Sequence, residues 1–231
     1  MPSEEIVIRP IAHIYTDFSE KFGIPRQSGL VEELCGRVVF TQEYRRPEAL
    51  RRIEEFSHLW LVWQFSKAVS AEFRPTVRPP RLGGNERVGV FASRAPYRPN
   101  SLALSCVRLL RVDWEADDGP ALLVGGVDML SGTPIFDVKP YIPVADCHPE
   151  ATQGYTKETR AHALQVVIPE KWLSHVPEGK RDALIGVLKS DPRPGYENKP
   201  EVEYGMAYAG LDVGFTVDGG VLTVTRIEKK E

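Results

Sequence analysis

Along the chain, apolar residues come in short runs rich in Val, Ile, Leu and aromatics, most of them closed by Gly, Pro or Asp. Short β-branched runs bounded by turn residues read as strands. They fall at Ile6–Ile14, Gly36–Phe40, His58–Phe65, Val88–Ala92, Leu102–Val112 and Ala121–Val127, then at Ile135–Val138, Leu164–Ile168, Val202–Ala209, Val213–Val217 and Val221–Ile227. Asp218-Gly219-Gly220, between the last two, is a hairpin signal. Helical spacing is rarer. Pro47 at a first-turn position, followed by Ala49, Leu50, Ile53 and Phe56, predicts a helix over Pro47–Phe56. A second is predicted over Lys180–Lys189, with Ala183, Leu184, Val187 and Leu188 on one face and Asp191-Pro192 as its stop. A short helical turn is predicted at Pro169–His175. Strands do not alternate with helices, which argues against a doubly wound parallel sheet. The pattern predicts a mainly β chain with a closed or nearly closed antiparallel sheet. The polar stretch Asp146–Gly154 marks the expected boundary between a domain over residues 1–150 and a smaller one over 151–231.

Composition narrows the class. The chain has 231 residues, 42% hydrophobic and 26% charged, enough to bury a core without disulfides or metals. The uncharged run Leu59–Phe65 is far shorter than a membrane span, so no membrane partner is expected. Met1–Glu5 carries acids rather than a basic leader, so no secretory signal is expected. Cys35, Cys106 and Cys147 form no close pair, which fits a reducing cytoplasm.

Charge placement changes the picture more than the total. The net charge is -3, yet Arg74, Arg78, Arg81, Arg87, Arg94 and Arg98 share one segment with a single acid, Glu86. Pro75, Pro79, Pro80, Pro96, Pro99 and Gly83-Gly84 lie in or beside the same stretch. That density of proline excludes a helix or an unbroken central strand. A rigid, convoluted loop presenting arginines is expected, and guanidinium groups suit phosphate oxygens and aromatic faces.

Several chemistries are absent from the sequence. It contains no G-x-G-x-x-G after a strand, no phosphate-binding P-loop, no H-E-x-x-H, no paired C-x-x-C and no G-x-S-x-G. Asp146-Cys147-His148 reads as a loop, since adjacent side chains converge poorly on one ion, and no metal is expected.

Four ordered stretches carry a resemblance. They are Lys21-Phe22-Gly23-Ile24-Pro25-Arg26-Gln27; the long run from Phe56-Ser57-His58-Leu59-Trp60 through Gly89-Val90-Phe91-Ala92-Ser93-Arg94 to Arg98-Pro99-Asn100; Asp128-Met129-Leu130-Ser131-Gly132-Thr133-Pro134-Ile135-Phe136-Asp137-Val138-Lys139-Pro140-Tyr141; and Asp191-Pro192-Arg193-Pro194-Gly195-Tyr196. Together they resemble the TsaA/TrmO (YaeB-like) family over essentially the whole chain. The resemblance implies a single-sheeted antiparallel β-barrel with a small α+β C-terminal domain. It implies an S-adenosyl-L-methionine-dependent tRNA methyltransferase acting on N6 of N6-threonylcarbamoyladenosine, at position 37 in the anticodon loop of threonine tRNA. A homodimer with the cofactor near the subunit interface is also implied.

Carried over residue by residue, the cofactor contacts fall on Pro25, Arg26, Gln27, Arg94, Leu104, Asp128, Met129 and Leu130, with Ser131 where the family has a second Asp. Ser66, followed by Lys67, stands where many members have His at the end of the strand that begins at His58. A family glycine is Ala103 here, and Ser93 replaces a Thr. The expected RNA contacts are Arg74, Arg78, Arg81, Arg98, Arg193 and Tyr196. Two alternatives stay open at this point: a non-catalytic RNA-binding barrel, and a barrel that senses S-adenosylmethionine without acting on RNA.

Overall fold

The computed structural model describes residues 5–67, 73–79, 82, 86–157, 163–193, 199 and 201–230. The first group of strands is β1 (Ala12–Thr16), β2 (Cys35–Phe40), β3 (His58–Gln64), β4 (Thr76–Val77), β5 (Val88–Gly89), β6 (Leu102–Asp113), β7 (Ala121–Gly125) and β8 (Thr133–Pro140). Six of these close a barrel in the order β1-β2-β7-β6-β3-β8, with every pairing antiparallel. Closure leaves the barrel no free edge. Strict alternation drives it: in β3, Leu59, Leu61 and Trp63 are buried while the residues between them are half exposed.

Beyond a single-turn helix α1 (Pro143–Asp146) lie β9 (Gln165–Val167), α2 (Glu170–Leu173) and α3 (Glu178–Lys189). Strands β10 (Tyr204–Tyr208), β11 (Leu211–Asp218) and β12 (Val221–Lys229) follow. They form a four-stranded sheet in the order β10-β11-β12-β9, with β9 parallel to β12. The β11–β12 turn uses Gly219 and Gly220 at φ of 53° and 84°, the doubly positive geometry of a tight hairpin. Helix α3 buries Ala183, Leu184, Val187 and Leu188, as its spacing predicts.

This C-terminal unit packs onto the segment that leaves β1. Lys180 pairs with Asp17 at 2.6 Å, and the Ala209 amide donates to the Asp17 carbonyl at 2.8 Å. Phe18 meets Tyr208 edge-on, and Phe22 stacks on Phe215. A Cβ on Gly186 would lie 2.6 Å from Val31, so α3 approaches the segment as closely as glycine allows. The same segment carries Pro25, Arg26 and Gln27, so the C-terminal unit helps to fix their loop.

Three expectations are corrected. The strand expected from Ile6 begins only at Ala12, and Ile6, Val7 and Ile8 are exposed. Their backbone pairs with no strand, and Pro10 has no amide to extend a ladder. Val88–Ala92 pairs over two residues and then turns into a 3-10 turn at Val90–Ala92. Pro47–Phe56 is two 3-10 turns, Pro47–Leu50 and Ile53–Glu55, rather than one helix. Arg52, at φ 70°, interrupts them in the left-handed region, and Leu50 turns into the core.

Candidate functional site

Three stretches far apart in sequence meet at one end of the barrel. The Gly29 amide donates to the Gly126 carbonyl at 2.9 Å, strapping the loop after Gln27 against the exit from β7. Two residues past the 3-10 turn Val90–Ala92 that follows β5, Arg94 donates to the Gln27 side-chain carbonyl. Gln27 Nε2 donates to the Arg26 carbonyl at 2.7 Å, and the Arg26 guanidinium donates to the Arg193 carbonyl at 2.8 Å. Thus Arg26, Gln27 and Arg94 form one cluster, tied to the C-terminal unit through Arg193.

Asp128 lies beneath this cluster. Its Oδ1 accepts from the Ser105 hydroxyl at 2.7 Å, and Ser105 Oγ accepts from the Trp63 indole N–H at 2.9 Å. Ser105 and Trp63 are 1% and 5% exposed, so the chain of donors runs through the barrel interior. Trp63 keeps the inward phase of Leu59 and Leu61, while on its other side the pairing with β8 shifts from Val62↔Asp137 to Trp63↔Ile135, a bulge that leaves Phe136 of β8 unpaired. Burial pushes the Asp128 carboxyl up to about 6; the Ser105 hydroxyl, the backbone N–H groups of Asp128 and Ser28, and the Arg94 charge pull it back down. An interior carboxylate is tolerated when it is supplied with donors in this way.

Neither Ser105 nor Trp63 was among the expected site residues. A signal for Ser105 does exist: it falls in the inward phase of β6, two residues before Val107, where an apolar residue is the norm.

The remaining expected cofactor residues divide. Pro25 is buried behind Arg26. The Met129 side chain is fully buried, and its carbonyl accepts from Thr16 Oγ1 at 2.9 Å. Leu130 offers its carbonyl to Thr133, and the Ser131 hydroxyl accepts the Thr16 amide at 3.2 Å. The turn after Asp128 is therefore spent largely on joining β8 to β1. Ser66 and Lys67 lie exposed just past β3, where the Lys67 carbonyl accepts from Lys21 at 2.5 Å. Leu104 is 53% exposed near the start of β6.

The arginine-rich segment is a ribbon rather than a featureless loop. β4 and β5 pair through Thr76↔Gly89 and Val77↔Val88, and the Val90 amide donates to the Pro75 carbonyl. Arg74 and Arg78 are exposed, and Arg87 donates to Thr76 Oγ1 at 3.0 Å. Phe73 and Phe91, 56% and 73% exposed, stack across the ribbon with ring centroids 6.4 Å apart.

Two expected RNA contacts differ from the rest. Arg98 donates to the Val90 and Ser93 carbonyls at 3.0 and 2.6 Å and lies over the Phe91 ring, so its guanidinium pins the 3-10 turn. Arg193 is buried, held by a two-point pair with Asp191 at 2.9 Å and lying over Tyr204. Arg81 and Tyr196 lie outside the described residues.

Comparison with known proteins bears on this geometry directly. The model of the tRNA-methyltransferase O N-terminal domain matches residues 13–147, and that of the TrmO C-terminal domain matches 161–230. The chain belongs to the TrmO family. It is similar to the tRNA (adenine(37)-N6)-methyltransferase of Escherichia coli, 38% identical over 222 residues, 90% of this chain and 94% of that one. A Pyrococcus abyssi protein, named as a probable S-adenosyl-L-methionine-binding protein, is 36% identical over 160 residues, covering 69% of this chain and 80% of its own. The crystal structure of TrmO from Pseudomonas aeruginosa superposes with a TM-score of 0.80 at 29% identity, covering 98% of both chains. The barrel and the C-terminal sheet thus form the TrmO fold, which explains a methyltransferase relative without the glycine-rich turn of a doubly wound sheet.

Proposed function

We propose that the protein is an S-adenosylmethionine-dependent tRNA methyltransferase that methylates N6 of N6-threonylcarbamoyladenosine at position 37 of threonine tRNA. The observation that carries this is the meeting of Arg26, Gln27, Arg94 and Asp128 at one barrel end of a TrmO chain. The donor set fits the cofactor. Arg26 and Arg94 offer guanidinium groups for a carboxylate, while Asp128 offers an acceptor for hydroxyl or ammonium donors. When bound, the cofactor supplies an electrophilic methyl group on a sulfonium.

The protein's part is to hold and orient. Alignment of two bound reactants accounts for roughly 7–11 kcal/mol of such a barrier. Leu104, exposed on β6, suits cover by a second subunit, and we place the homodimer interface there, close to the cofactor. We divide the chain into a cofactor-binding barrel over residues 1–150 and a C-terminal domain over 151–231 that steadies the Arg26 loop. The β4–β5 ribbon is the proposed tRNA face: its arginines suit phosphates, and Phe73 and Phe91 suit stacking by unpaired bases of an anticodon loop. The free thiols Cys35, Cys106 and Cys147 suit a reducing cytoplasm.

The test is mass spectrometry of nucleosides from threonine tRNA bearing the threonylcarbamoyl group, incubated with the protein and S-adenosylmethionine. A gain of one methyl group on that nucleoside is expected. An unchanged nucleoside, in a reaction where the E. coli enzyme converts it, sinks the proposal.

A further inference from the structure

The donor chain Trp63–Ser105–Asp128 has a fixed direction. An indole nitrogen donates and never accepts, so Ser105 Oγ must take the Trp63 proton at 2.9 Å. With Asp128 ionised, the one proton of that hydroxyl points onward to Asp128 Oδ1 at 2.7 Å, because a carboxylate only accepts. The arrangement places an indole N–H and a hydroxyl inside a barrel otherwise lined by residues such as Leu59, Leu61, Val107 and Leu122. Buried polar groups of this kind carry a penalty unless all are satisfied, and here each satisfies the next.

We propose that Ser105, with its hydroxyl oriented by Trp63, is a positioning residue that holds Asp128 as an ionised acceptor for the hydrogen-bond donors of the methyl donor. The inference rests on the assignment of Asp128 to the cofactor site made above. The surroundings of Asp128 support it from each side. β6 and β3 contribute the neutral Ser105 and Trp63, the loop at residue 28 contributes a backbone N–H, and Arg94 contributes the one charged side chain acting on the carboxylate among the described residues. Burial favours the neutral acid, and the donors oppose it, so removal of one donor moves the balance visibly.

The sign follows directly. Asp128 is ionised above about pH 6 and neutral below it, so affinity for the cofactor falls as pH drops through that value. Ordinary α-carboxyl and α-amino groups titrate at about 3.5 and about 8, on either side of a limb near pH 6. Two readouts test the inference on the full-length protein. Without ligand, the Trp63 indole N–H resonance should titrate with a midpoint near pH 6, because Ser105 links it to the carboxylate. That titration should vanish in Asp128→Asn and in Ser105→Ala.

With S-adenosylmethionine, calorimetric affinity from pH 4.5 to 7.5 should show an acid limb. Ser105→Ala should move the limb up by about one pH unit, as loss of a hydrogen bond to a charged group implies. Ser105→Thr, which restores the hydroxyl, should return it, and Trp63→Phe should move it in the same direction as Ser105→Ala but less. Thermal melts identify any variant that has lost its fold, and the Trp63 titration of the unaltered protein stands without variants. A flat Trp63 resonance overturns the inference, as does an unmoved limb in folded Ser105→Ala. If Asp128→Asn binds the cofactor as tightly as the unaltered protein, while Trp63 titrates in the unaltered protein, the donor chain stands and the assignment of Asp128 to the cofactor site falls instead.

Discussion

Arg94 and Phe91 are three residues apart, yet they belong to opposite physical regimes. Arg94 is tied through Gln27 to a cluster floored by Asp128, whose partners Ser105 and Trp63 are internal to the barrel. Phe91 stands in the turn that follows a two-stranded ribbon, open to solvent, on a segment where Arg74 and Arg78 are exposed. In the first region each polar group fixes the next, and low dielectric makes each loss expensive. In the second, contributions are screened, collective and exchangeable. A molecule that must position one reactive methyl and also hold a long polyanion needs both regimes side by side. Phe91 lies in the turn Val90–Ala92 and Arg94 two residues past its end, so one short stretch joins the two regions.

Arg94→Ala gives the largest expected break in this contrast. Loss of a guanidinium from a site of developing charge redistribution should lower kcat/KM by roughly 10²-fold or more. Cofactor affinity should weaken while tRNA binding changes little. Wild-type turnover would remove Arg94 from the site, and lost tRNA affinity with intact cofactor affinity would move it to the ribbon.

Asp191→Asn comes next. Asp191 sits at φ 52°, a conformation that asparagine also tolerates, so the change isolates the charge. Arg193 would be left buried without its counter-ion, which should destabilise the protein by about 2–4 kcal/mol. For a chain of this size that is a fall in melting temperature of roughly 4–16 °C. Because the Arg193 carbonyl receives Arg26, cofactor affinity should fall with it. An unaltered melt accompanied by weaker tRNA binding would instead return Arg193 to the RNA face.

What the sequence showed, and what it hid, follows the same division. Alternation in Leu59, Leu61 and Trp63 exposes β3 at once, and the Asp-Gly-Gly turn and the α3 stripe are equally local. The order in which strands close the barrel is not local, since β2 pairs with β7 and β3 with β8 across long stretches of chain. Motifs locate Arg26, Gln27, Arg94 and Asp128, but the Trp63–Ser105–Asp128 chain depends on the β3–β6 register, Leu61↔Ser105 and Trp63↔Ala103, which no motif encodes. The surroundings of Arg193 are hidden for a related reason: a left-handed turn at Asp191 folds that carboxylate back onto the guanidinium, a pairing that sequence order alone does not show. Pro47–Phe56 carries helical spacing, but the left-handed Arg52 divides it.

The smallest expected effects, and the ones that define the ribbon, come from Phe91 and its arginine neighbours. Each exposed arginine that neutralises a phosphate should contribute about 0.7 to the log–log salt dependence of tRNA affinity. Arg74→Gln and Arg78→Gln together should therefore flatten that slope by about 1.4. Phe91→Ala should act differently. Loss of one stacking face should weaken binding about fivefold, the lower end for an exposed ring, and leave the slope unchanged. The pair of measurements separates ionic from stacking contributions without reference to catalysis. If Phe91→Ala instead leaves tRNA affinity intact and shifts the protein from dimer to monomer in sedimentation, the exposed rings belong to the subunit interface. The arginines alone would then mark the RNA face, and the contrast with the buried cluster would rest on salt dependence only.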